Sequence, residues 1–346
     1  MKCLVVGGGV HGLSTAWWLA REGHDVTLLE RHAPGHDRGS SHGQSRITRT
    51  AYGDPLFVKL MQRCHAEAWP ALEADVGRRL LHPRDLVFFG PAGAMRAHVE
   101  AAGEGVEVID PGEARRRFPD FRFAGEPTVL HDHTAAIVAA ADTIASLARW
   151  LGDRVRAGVE VLAVDARGAD TSRGRFEADR VVVCAGAWAP RLVPRLGRLA
   201  PIAQTVGYFD VDAPDLPLWA YNGEQFFYGL PAFGRPGIKA ALHVTAGRVD
   251  DPDVADGPGV AAVRAFLGEQ LARPLGATIA TERCLYTCTD DEDFVLDEVD
   301  GVVVGAGFTG HGFKFGPLVG RILGELATRG RTTIPEFEEA RWRFSA

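Results

Sequence analysis

Three glycines near the start of the chain, Gly7, Gly9 and Gly12, stand in a G-x-G-x-x-G frame. In such a frame the first glycine permits a tight turn, the second lets a pyrophosphate approach the backbone, and the third lets a helix pack closely on a strand. Glu30 follows the last glycine by 18 positions, near where a carboxylate would accept hydrogen bonds from an adenosine ribose. These residues predict a dinucleotide site, but they do not decide between NAD(P) and FAD.

The segments around these glycines have the order of a dinucleotide-binding βαβ unit. Residues 1–6 form an apolar strand that runs directly into the glycines, and residues 13–20 have the pattern of a helix. A second apolar run, residues 25–30, ends at the acidic residue. The N-terminus of such a helix faces the phosphates of the nucleotide. A turn in an α/β fold that binds nothing remains the alternative at this point.

A polar loop over residues 35–52 follows the βαβ unit. It contains basic or imidazole side chains at His36, Arg38, His42, Arg46 and Arg49, which are too many cations for a mere connector. Two later segments, residues 180–188 and 302–317, are buried-type strands that end in turns of small residues. The first of these turns suits a second close approach of the backbone to a cofactor.

Composition limits the class of protein. A length of 346 residues leaves room for about two domains, and 46% hydrophobic with 24% charged residues is typical of a soluble globular protein. The formal net charge of −7 argues against nucleic acid as the main partner. No apolar run approaches the ~20 residues that span a bilayer, so we expect no membrane partner. Five cysteines without a disulfide or zinc pattern favour the reducing cytoplasm as the location.

The remaining elements change character along the chain. Before residue 200 the pattern predicts helices over 59–76, 110–119 and 139–151 and strands at 86–89 and 159–164. From 201 to about 289 strands follow one another with little helix, which is typical of an antiparallel sheet. These strands are predicted at 204–211, 225–228, 237–243 and 278–286, and one helix at 260–271. A helix over 318–328 closes the chain.

We therefore predict an α/β protein, α+β overall, in which a Rossmann-like nucleotide-binding domain is combined with a discontinuous antiparallel-sheet substrate domain. The nucleotide-binding domain is predicted to comprise residues 1–80, 136–203 and 291–346. The substrate and catalytic domain is predicted to comprise residues 81–135 and 204–290.

Three further segments narrow the function. They are residues 39–53, residues 228–243, and residues 284–294 together with 307–315. The last is the most specific, because Cys-x-Tyr-Thr is followed by Asp-Glu-x-Phe and then by Gly-His-Gly-Phe-Lys. With the βαβ unit, these segments resemble the monomeric sarcosine oxidase family, within the D-amino-acid-oxidase-like flavoproteins. The resemblance implies a monomer that uses FAD and dioxygen to oxidise an N-methyl or cyclic secondary amino acid, with hydrogen peroxide as a product.

The resemblance also implies roles for individual residues. Cys284 matches the cysteine that the family joins to the flavin 8-methyl carbon through a thioether, and the adjacent Arg283 would favour the required thiolate. Arg49 and Lys314 would clamp the substrate carboxylate, with a guanidinium fork and an ammonium point charge. Lys239 would lie near flavin N5 and promote the reduction of dioxygen.

Other implied positions lie around the same flavin. His243 and Tyr228 would line the substrate pocket, and the spacing of four between Lys239 and His243 on a strand points both side chains to one face. The implied cofactor contacts are Gly7, Gly9, Gly12, Glu30, Ser41, His42, Arg46, Cys284, Tyr286, Gly310, Gly312 and Lys314.

These residue types also have ordinary structural interpretations, which stay open. A free cysteine is usually just buried, and arginine and lysine are usually solvated. His243 could be a satisfied core histidine, and Tyr228 and Tyr286 could be ordinary strand residues. Cys288 is a rival to Cys284, although its position does not match the family pattern.

Two features predict details that only a structure can test. Trp219 and Tyr221 precede the pocket tyrosine at 228 and predict a narrowed pocket or a stacking surface. His131 and His133 are two possible metal ligands without a third, so we interpret them as loop polarity and predict no metal. A dehydrogenase with another electron acceptor and a non-catalytic nucleotide-binding protein are the alternative functions.

Overall fold

The computed structural model describes residues 1–254 and 256–346, which form two large and two small β-sheets. The strands in chain order are β1 (Lys2–Val6), β2 (Asp25–Glu30), β3 (Ser45–Thr48), β4 (Leu81–Pro83), β5 (Leu86–Gly90), β6 (Val106–Ile109), β7 (Thr128–Asp132), β8 (Ala136–Ala139), β9 (Val155–Ala157), β10 (Val161–Asp165), β11 (Gly168–Thr171), β12 (Gly174–Glu177), β13 (Arg180–Val183), β14 (Ala200–Phe209), β15 (Leu218–Asn222), β16 (Phe226–Leu230), β17 (Ile238–His243), β18 (Thr278–Cys288), β19 (Val295–Val299) and β20 (Val302–Ala306).

The helices cover the sheets and connect them. In chain order they are α1 (Val10–Arg21), α2 (Pro55–Arg63), α3 (Trp69–Val76), α4 (Ala92–Glu100), α5 (Pro111–Arg117), α6 (Ala140–Leu151), α7 (Ala189–Leu192), α8 (Ala261–Gln270), α9 (Gly316–Arg329) and α10 (Pro335–Glu339). A π-helical segment, Cys64–Ala68, joins α2 to α3, so the helix predicted over 59–76 is longer and irregular. Across the described residues, no helix has both the length and the apolar character of a membrane span.

The first large sheet has the Rossmann-like arrangement that the sequence predicts. Its six strands lie in the order β19-β20-β13-β1-β2-β9, and all neighbours are parallel except β19 and β20. Cys3 and Val5 of β1 belong to a core with α1, α6 and α9, while Leu4 and Val6 belong to a core on the opposite face. Strands buried on both faces need the continuous apolar runs that this sequence has.

The glycine frame makes the turn from β1 into α1. Gly7 has a φ of +106°, and a Cβ there would lie 2.4 Å from the carbonyl oxygen of Cys184. A Cβ on Gly12 would lie 1.9 Å from the carbonyl oxygen of Gly7. Only glycine fits these two positions, because one needs a left-handed backbone and the other has no space for a side chain. The turn therefore brings the N-terminus of α1 against the end of β1.

The second large sheet has eight strands in the order β18-β14-β17-β16-β15-β5-β7-β6. All neighbours are antiparallel except β15 and β5, so the antiparallel prediction holds for most of the sheet but not for this junction. The parallel pair joins a strand from the segment before residue 135 to one from the segment after residue 204. Sequence analysis missed β15, a short strand that follows a turn with two prolines, Pro214 and Pro217.

Strand β15 also corrects the prediction for Trp219 and Tyr221. Their rings pack on Phe266 of α8, with centroid distances of 5.5 Å and 5.1 Å. Ala220 between them points to the opposite face of the sheet, as alternation along a strand requires. The prediction that these aromatic residues narrow the pocket or offer a stacking surface was wrong, because sequence alone did not show which face they occupy.

Candidate active site

One large cavity lies where the two large sheets meet. Its volume is about 960 Å³, at the upper end of the range of about 300–1,000 Å³ that is common for ligand pockets. Every residue that the sequence analysis proposed for catalysis or cofactor binding lines this cavity, except Gly12, which packs inside the turn. The fold thus brings together side chains from β2, β16, β17 and β18 and from the loop before β3.

Glu30 and Ser41 shape the end of the cavity beside the glycine turn. The Glu30 carboxylate accepts hydrogen bonds from the backbone N–H groups of Gly8, at 2.6 Å, and His32, at 2.7 Å. Burial raises the pKa of Glu30, but hydrogen bonds from His36, His32 and Gly8 outweigh burial, so the net pKa is lower than usual. The Ser41 hydroxyl accepts the N–H of Val10 at 3.0 Å, at the N-terminus of α1.

Arg46 stabilises the loop before β3 through hydrogen bonds to its backbone. Its guanidinium donates hydrogen bonds to the carbonyl oxygens of Ser40, His42 and Ser45, at 2.9, 2.7 and 2.8 Å. Within the described residues, Nε2 of His42 is buried and has no hydrogen-bond partner. Burial and then the charge of Arg46 lower the pKa of His42 to about 4, so this imidazole is neutral at pH 7.

Lys239 is buried in the same region, on β17. Its Nζ donates a hydrogen bond of 2.8 Å to the carbonyl oxygen of Ser45. Burial, and then the charge of Arg46, lower its pKa to about 7, while Glu282 acts in the opposite direction. Sequence analysis missed Glu282, although it lies two positions before Cys284 on β18 and alternation could have placed it on the same face.

Arg49 and Lys314 converge on Tyr52, which sequence analysis also missed. The guanidinium carbon of Arg49 lies 4.3 Å from the centroid of the Tyr52 ring, and it also stacks on Phe88 at 4.9 Å. Lys314 lies in a 3₁₀ turn, Phe313–Phe315, rather than at the start of the last helix, which begins at residue 316. Burial and then Arg49 lower the pKa of Lys314 well below its usual range, so a bound anion would be needed to favour its ammonium form.

Arg49 and Lys314 form no ion pair with an acid among the described residues. Burial lowers the pKa of Arg49, and the charge of the nearby Asp132 acts in the opposite direction. In the part of the chain that the structure describes, neither cation forms a salt bridge, and Arg49 donates one hydrogen bond, to the carbonyl oxygen of Ala51. Lys314 is 9% exposed. Charges shielded from solvent are usually paired, so two neighbouring cations without an ion-paired acid mark a place for an anion.

Asp132, another residue that sequence analysis missed, holds the segment that carries Arg49. One oxygen of its fully buried carboxylate accepts the N–H groups of Thr50 and Ala51, at 2.8 and 2.9 Å. The other accepts both the N–H and the hydroxyl of Thr134. Because β7 anchors this carboxylate, the second sheet positions the backbone beside Arg49.

Tyr286 connects the neutral polar groups of the cavity. Its hydroxyl lies 3.3 Å from the hydroxyl of Tyr228 and 3.4 Å from Nδ1 of His243. Burial raises the pKa of both tyrosines, and burial lowers the pKa of His243 to about 4. Gly310 admits the Tyr286 ring, because a Cβ there would lie 2.4 Å from it.

The two cysteines of β18 have different surroundings. Cys284 is 8% exposed and lines the cavity, with its Sγ 4.0 Å from the carbonyl oxygen of Ser40. Cys288 packs against Ile202 and Tyr286 away from the cavity, and burial raises its pKa to about 12. Of the two, only Cys284 is placed to meet a ligand in the cavity.

Comparison with known proteins decides the family. Residues 2–326 match the family described as DAO, FAD dependent oxidoreductase. The chain belongs to this family. It is 32% identical to monomeric sarcosine oxidase of Bacillus sp. (strain B-0618), over 95% of this chain and 92% of that protein. It is 31% identical to peroxisomal sarcosine oxidase of Mus musculus, over 99% of this chain and 95% of that protein.

A solved structure agrees with the fold of this FAD-dependent oxidoreductase. NikD, described as an unusual amino acid oxidase essential for nikkomycin biosynthesis, aligns with a TM-score of 0.82 at 24% identity. The alignment covers 99% of this chain and 96% of NikD. The two chains thus share their architecture over nearly their whole length.

The cavity fits the FAD that the family requires. It extends from the glycine turn at the end of β1 to β17 and β18, a span suited to a dinucleotide. Gly9 lines the cavity without a side chain, so its backbone is open to a ligand at the N-terminus of α1. The unpartnered Nε2 of His42 offers a further polar contact to a ligand.

Proposed function

We propose that this oxidoreductase oxidises an N-methyl or cyclic secondary amino acid to an imine, with dioxygen as acceptor and hydrogen peroxide as product. The observation that carries the proposal is a pair of neighbouring cations in the cavity that fits FAD: partly buried Arg49 and buried Lys314. Neither forms an ion pair with an acid in the described part of the chain. They offer a fork and a point charge to one carboxylate. The related sarcosine oxidases, whose names specify an N-methyl amino acid substrate, support this choice.

The adenosine and pyrophosphate end of FAD would be held by backbone N–H groups and by the Glu30 carboxylate. The N–H groups at the start of α1 would bind the pyrophosphate, and the Glu30 carboxylate would accept hydrogen bonds from the adenosine ribose. His42, Arg46, Tyr286 and the turn that contains Gly310 and Gly312 line the cavity nearer to β18, where we place the isoalloxazine ring. When bound, FAD supplies the acceptor for the hydride equivalent that leaves the substrate carbon.

The charges of the cavity favour an uncharged substrate amine. Arg49, Lys314 and Lys239 all line it, and His243 is neutral at pH 7 because burial lowers its pKa to about 4. An ammonium group would be repelled by these cations and would lose solvation, so its pKa should fall on binding. The free amine has the lone pair that assists loss of hydride from the adjacent carbon. The Tyr228 and Tyr286 hydroxyls offer it hydrogen bonds.

Lys239 is proposed to promote the reduction of dioxygen. Its ammonium is buried, and the hydrogen bond to the Ser45 carbonyl oxygen holds it at a defined place. A fixed positive charge stabilises the negative charge that dioxygen acquires as it takes electrons. This role favours an oxidase over a dehydrogenase with another acceptor.

We also propose that Cys284 attaches the flavin through its 8-methyl carbon. An S–C bond would replace the thiol S–H bond and one methyl C–H bond, with the two electrons released passing through the flavin to dioxygen. The position of its Sγ in the cavity wall supports this attachment. Cys184 also lines the cavity, but it lies beside the glycine turn, and burial raises its pKa to about 12. It is therefore a poor candidate for attachment.

Anaerobic reduction tests the proposed reaction. The purified holoenzyme is mixed without air with sarcosine, N-methyl amino acids, proline and pipecolate, and bleaching of the flavin absorbance is followed. Air is then admitted and peroxide is measured against the substrate consumed. We expect bleaching by at least one secondary amino acid and one peroxide for each substrate oxidised. A parallel sample receives an electron-accepting dye in place of air. Bleaching followed by reduction of the dye, with no peroxide formed in air, would support the dehydrogenase. Absence of bleaching by any substrate would contradict the proposal.

A further inference from the structure

A cluster of two histidines and a carboxylate lies at an edge of the eight-stranded sheet, outside the cavity. Asp85 directly precedes β5, His131 lies on β7, and His133 follows β7. One ligand atom from each residue lies within 4.8 Å of the others. The interpretation of His131 as loop polarity was wrong, because this side chain is buried on a strand. The third potential ligand that sequence analysis lacked is Asp85, 46 positions before His131.

His131 has an unused nitrogen that faces this cluster. Only 4% of the residue is exposed, and in residues 1–254 and 256–346 its Nε2 makes no hydrogen bond. The nearest carboxylate oxygen, Oδ2 of Asp85, lies 3.1 Å from Nε2. Oδ1 of the same carboxylate lies 3.9 Å from Nδ1 of His133. This nitrogen therefore faces a carboxylate at 3.1 Å without forming a well-aligned hydrogen bond, an arrangement that an ion bound between the two groups would explain.

Glu107 orients both imidazoles toward Asp85. Its Oε1 lies 3.2 Å from Nδ1 of His131 and 3.2 Å from Nε2 of His133. On β6, Glu107 is directly opposite His131. Metal binding requires the tautomer in which each imidazole donates its N–H to Glu107, so that its other nitrogen presents a lone pair on the Asp85 side. In that tautomer Nδ1 of His131 does not accept from Arg117, although Nη1 lies 3.2 Å away. A carboxylate behind a histidine is the usual support for a metal-binding imidazole.

Arg117 determines which side of the histidines can accept a cation. Its guanidinium donates hydrogen bonds to Glu107 and to Glu113, and Nη1 lies 3.2 Å from Nδ1 of His131. A metal ion on this side would be repelled by the guanidinium. On the other side, the contacts among the described residues bring the Asp85 carboxylate to both imidazoles and no such cation.

We propose that Asp85, His131 and His133 bind a divalent transition-metal ion, with Zn²⁺ as the best match. The ligands would be Nε2 of His131, Nδ1 of His133 and the Asp85 carboxylate, with water in the fourth position. Two imidazoles and a carboxylate suit Zn²⁺, whereas Mg²⁺ and Ca²⁺ prefer oxygen ligands only. The ion would tie the start of β5 to the end of β7.

Calorimetric titration of the untagged holoenzyme with Zn²⁺ tests the site. We expect one ion per chain and a higher melting temperature with Zn²⁺ present. Asp85→Asn and His133→Gln should each weaken binding at least about tenfold, and Glu107→Gln should weaken it about 10–100-fold through loss of support. Asp85 and His133 are about half exposed, so these changes should leave folding and the flavin absorbance unchanged.

Two controls keep the result specific. His82→Gln removes a histidine from a different, three-stranded sheet and should bind Zn²⁺ as the parent protein does. Mg²⁺ at the same concentration should give no heat of binding. The proposal is overturned if the parent chain binds no Zn²⁺, or if the double variant D85N/H133Q, folded by its flavin absorbance, binds it unchanged.

Discussion

Lys314 Nζ donates a hydrogen bond of 3.0 Å to the hydroxyl of Tyr52, a residue 262 positions earlier in the chain. Arg49 lies over the face of the same ring. Tyr52 therefore gives both cations a neutral partner, through its hydroxyl for Lys314 and its π face for Arg49. A carboxylate ligand would then meet two cations whose positions are already set.

The first prediction concerns this hydroxyl. Tyr52→Phe keeps the ring under Arg49 but removes the acceptor of Lys314, so the ammonium becomes less well placed. A hydrogen bond to a charged group contributes about 1.5–3 kcal/mol, so KM for the amino acid should rise about 10–100-fold with a smaller change in kcat. Tyr221→Phe, the same substitution on the other face of the second sheet, should leave KM unchanged. Equal KM values for the two variants would refute the positioning role.

The second prediction concerns the guanidinium fork. Arg49→Lys keeps a positive charge but loses the two parallel N–H donors, so kcat/KM for the amino acid should fall about a hundredfold. The amide of the same substrate has no carboxylate and should lose much less. Steady-state kinetics with both compounds give the comparison. An equal loss for acid and amide would show that Arg49 does not bind the carboxylate.

The third prediction is a pH dependence of the reaction with dioxygen. Lys239, with its pKa lowered to about 7 by burial, is charged below that pH and neutral above it. The rate of flavin reoxidation should therefore fall as pH rises through about 7. In Lys239→Met that dependence should disappear and the rate should drop about a hundredfold, because a unit charge about 5 Å away contributes about 3 kcal/mol at an effective dielectric constant of about 20. Stopped-flow mixing of reduced enzyme with oxygenated buffer measures both effects.

The fourth prediction separates the two cysteines of β18. The protein is precipitated with acid, and the pellet and supernatant are examined for flavin colour. The parent chain and Cys288→Ser should retain the colour in the pellet, because only Cys284 lines the cavity. Cys284→Ser should release it. Colour that stays with Cys284→Ser, or that leaves the parent chain, would rule out attachment through this residue.

The fifth prediction concerns Asp132. In Asp132→Asn one carboxylate oxygen becomes an NH₂ group that cannot accept the N–H groups now bound to it, so we expect a loss of about 2 kcal/mol in unfolding free energy. KM for the amino acid should also rise, because the Thr50 and Ala51 backbone that Asp132 holds directly follows Arg49 and helps to position it. Asp120→Asn is the matched control, a buried carboxylate paired with Arg273 outside the cavity. It should lower the melting temperature without changing KM.

Local patterns explain how much of this fold could be predicted. The frame from Gly7 to Gly12 and the acid at the end of β2 follow from short-range geometry, so sequence identified the turn and its neighbours. Helices α6 and α8 lie within one residue of their predicted ends, because apolar periodicity marks the buried face. The strand at 218–222 was missed because five residues beside a proline-rich turn carry little such signal.

The sequence by itself determined the class of fold, the dinucleotide turn and the residue types available for an anionic substrate, because these depend on neighbours within a few positions. Only the tertiary structure decided that Tyr52 contacts both Arg49 and Lys314, and that Asp132 holds the backbone between Arg49 and Tyr52. It also turned Trp219 away from the cavity and brought Asp85 to His131. These relationships depend on the direction of side chains and on packing between segments that are distant in the chain, which local sequence patterns do not encode.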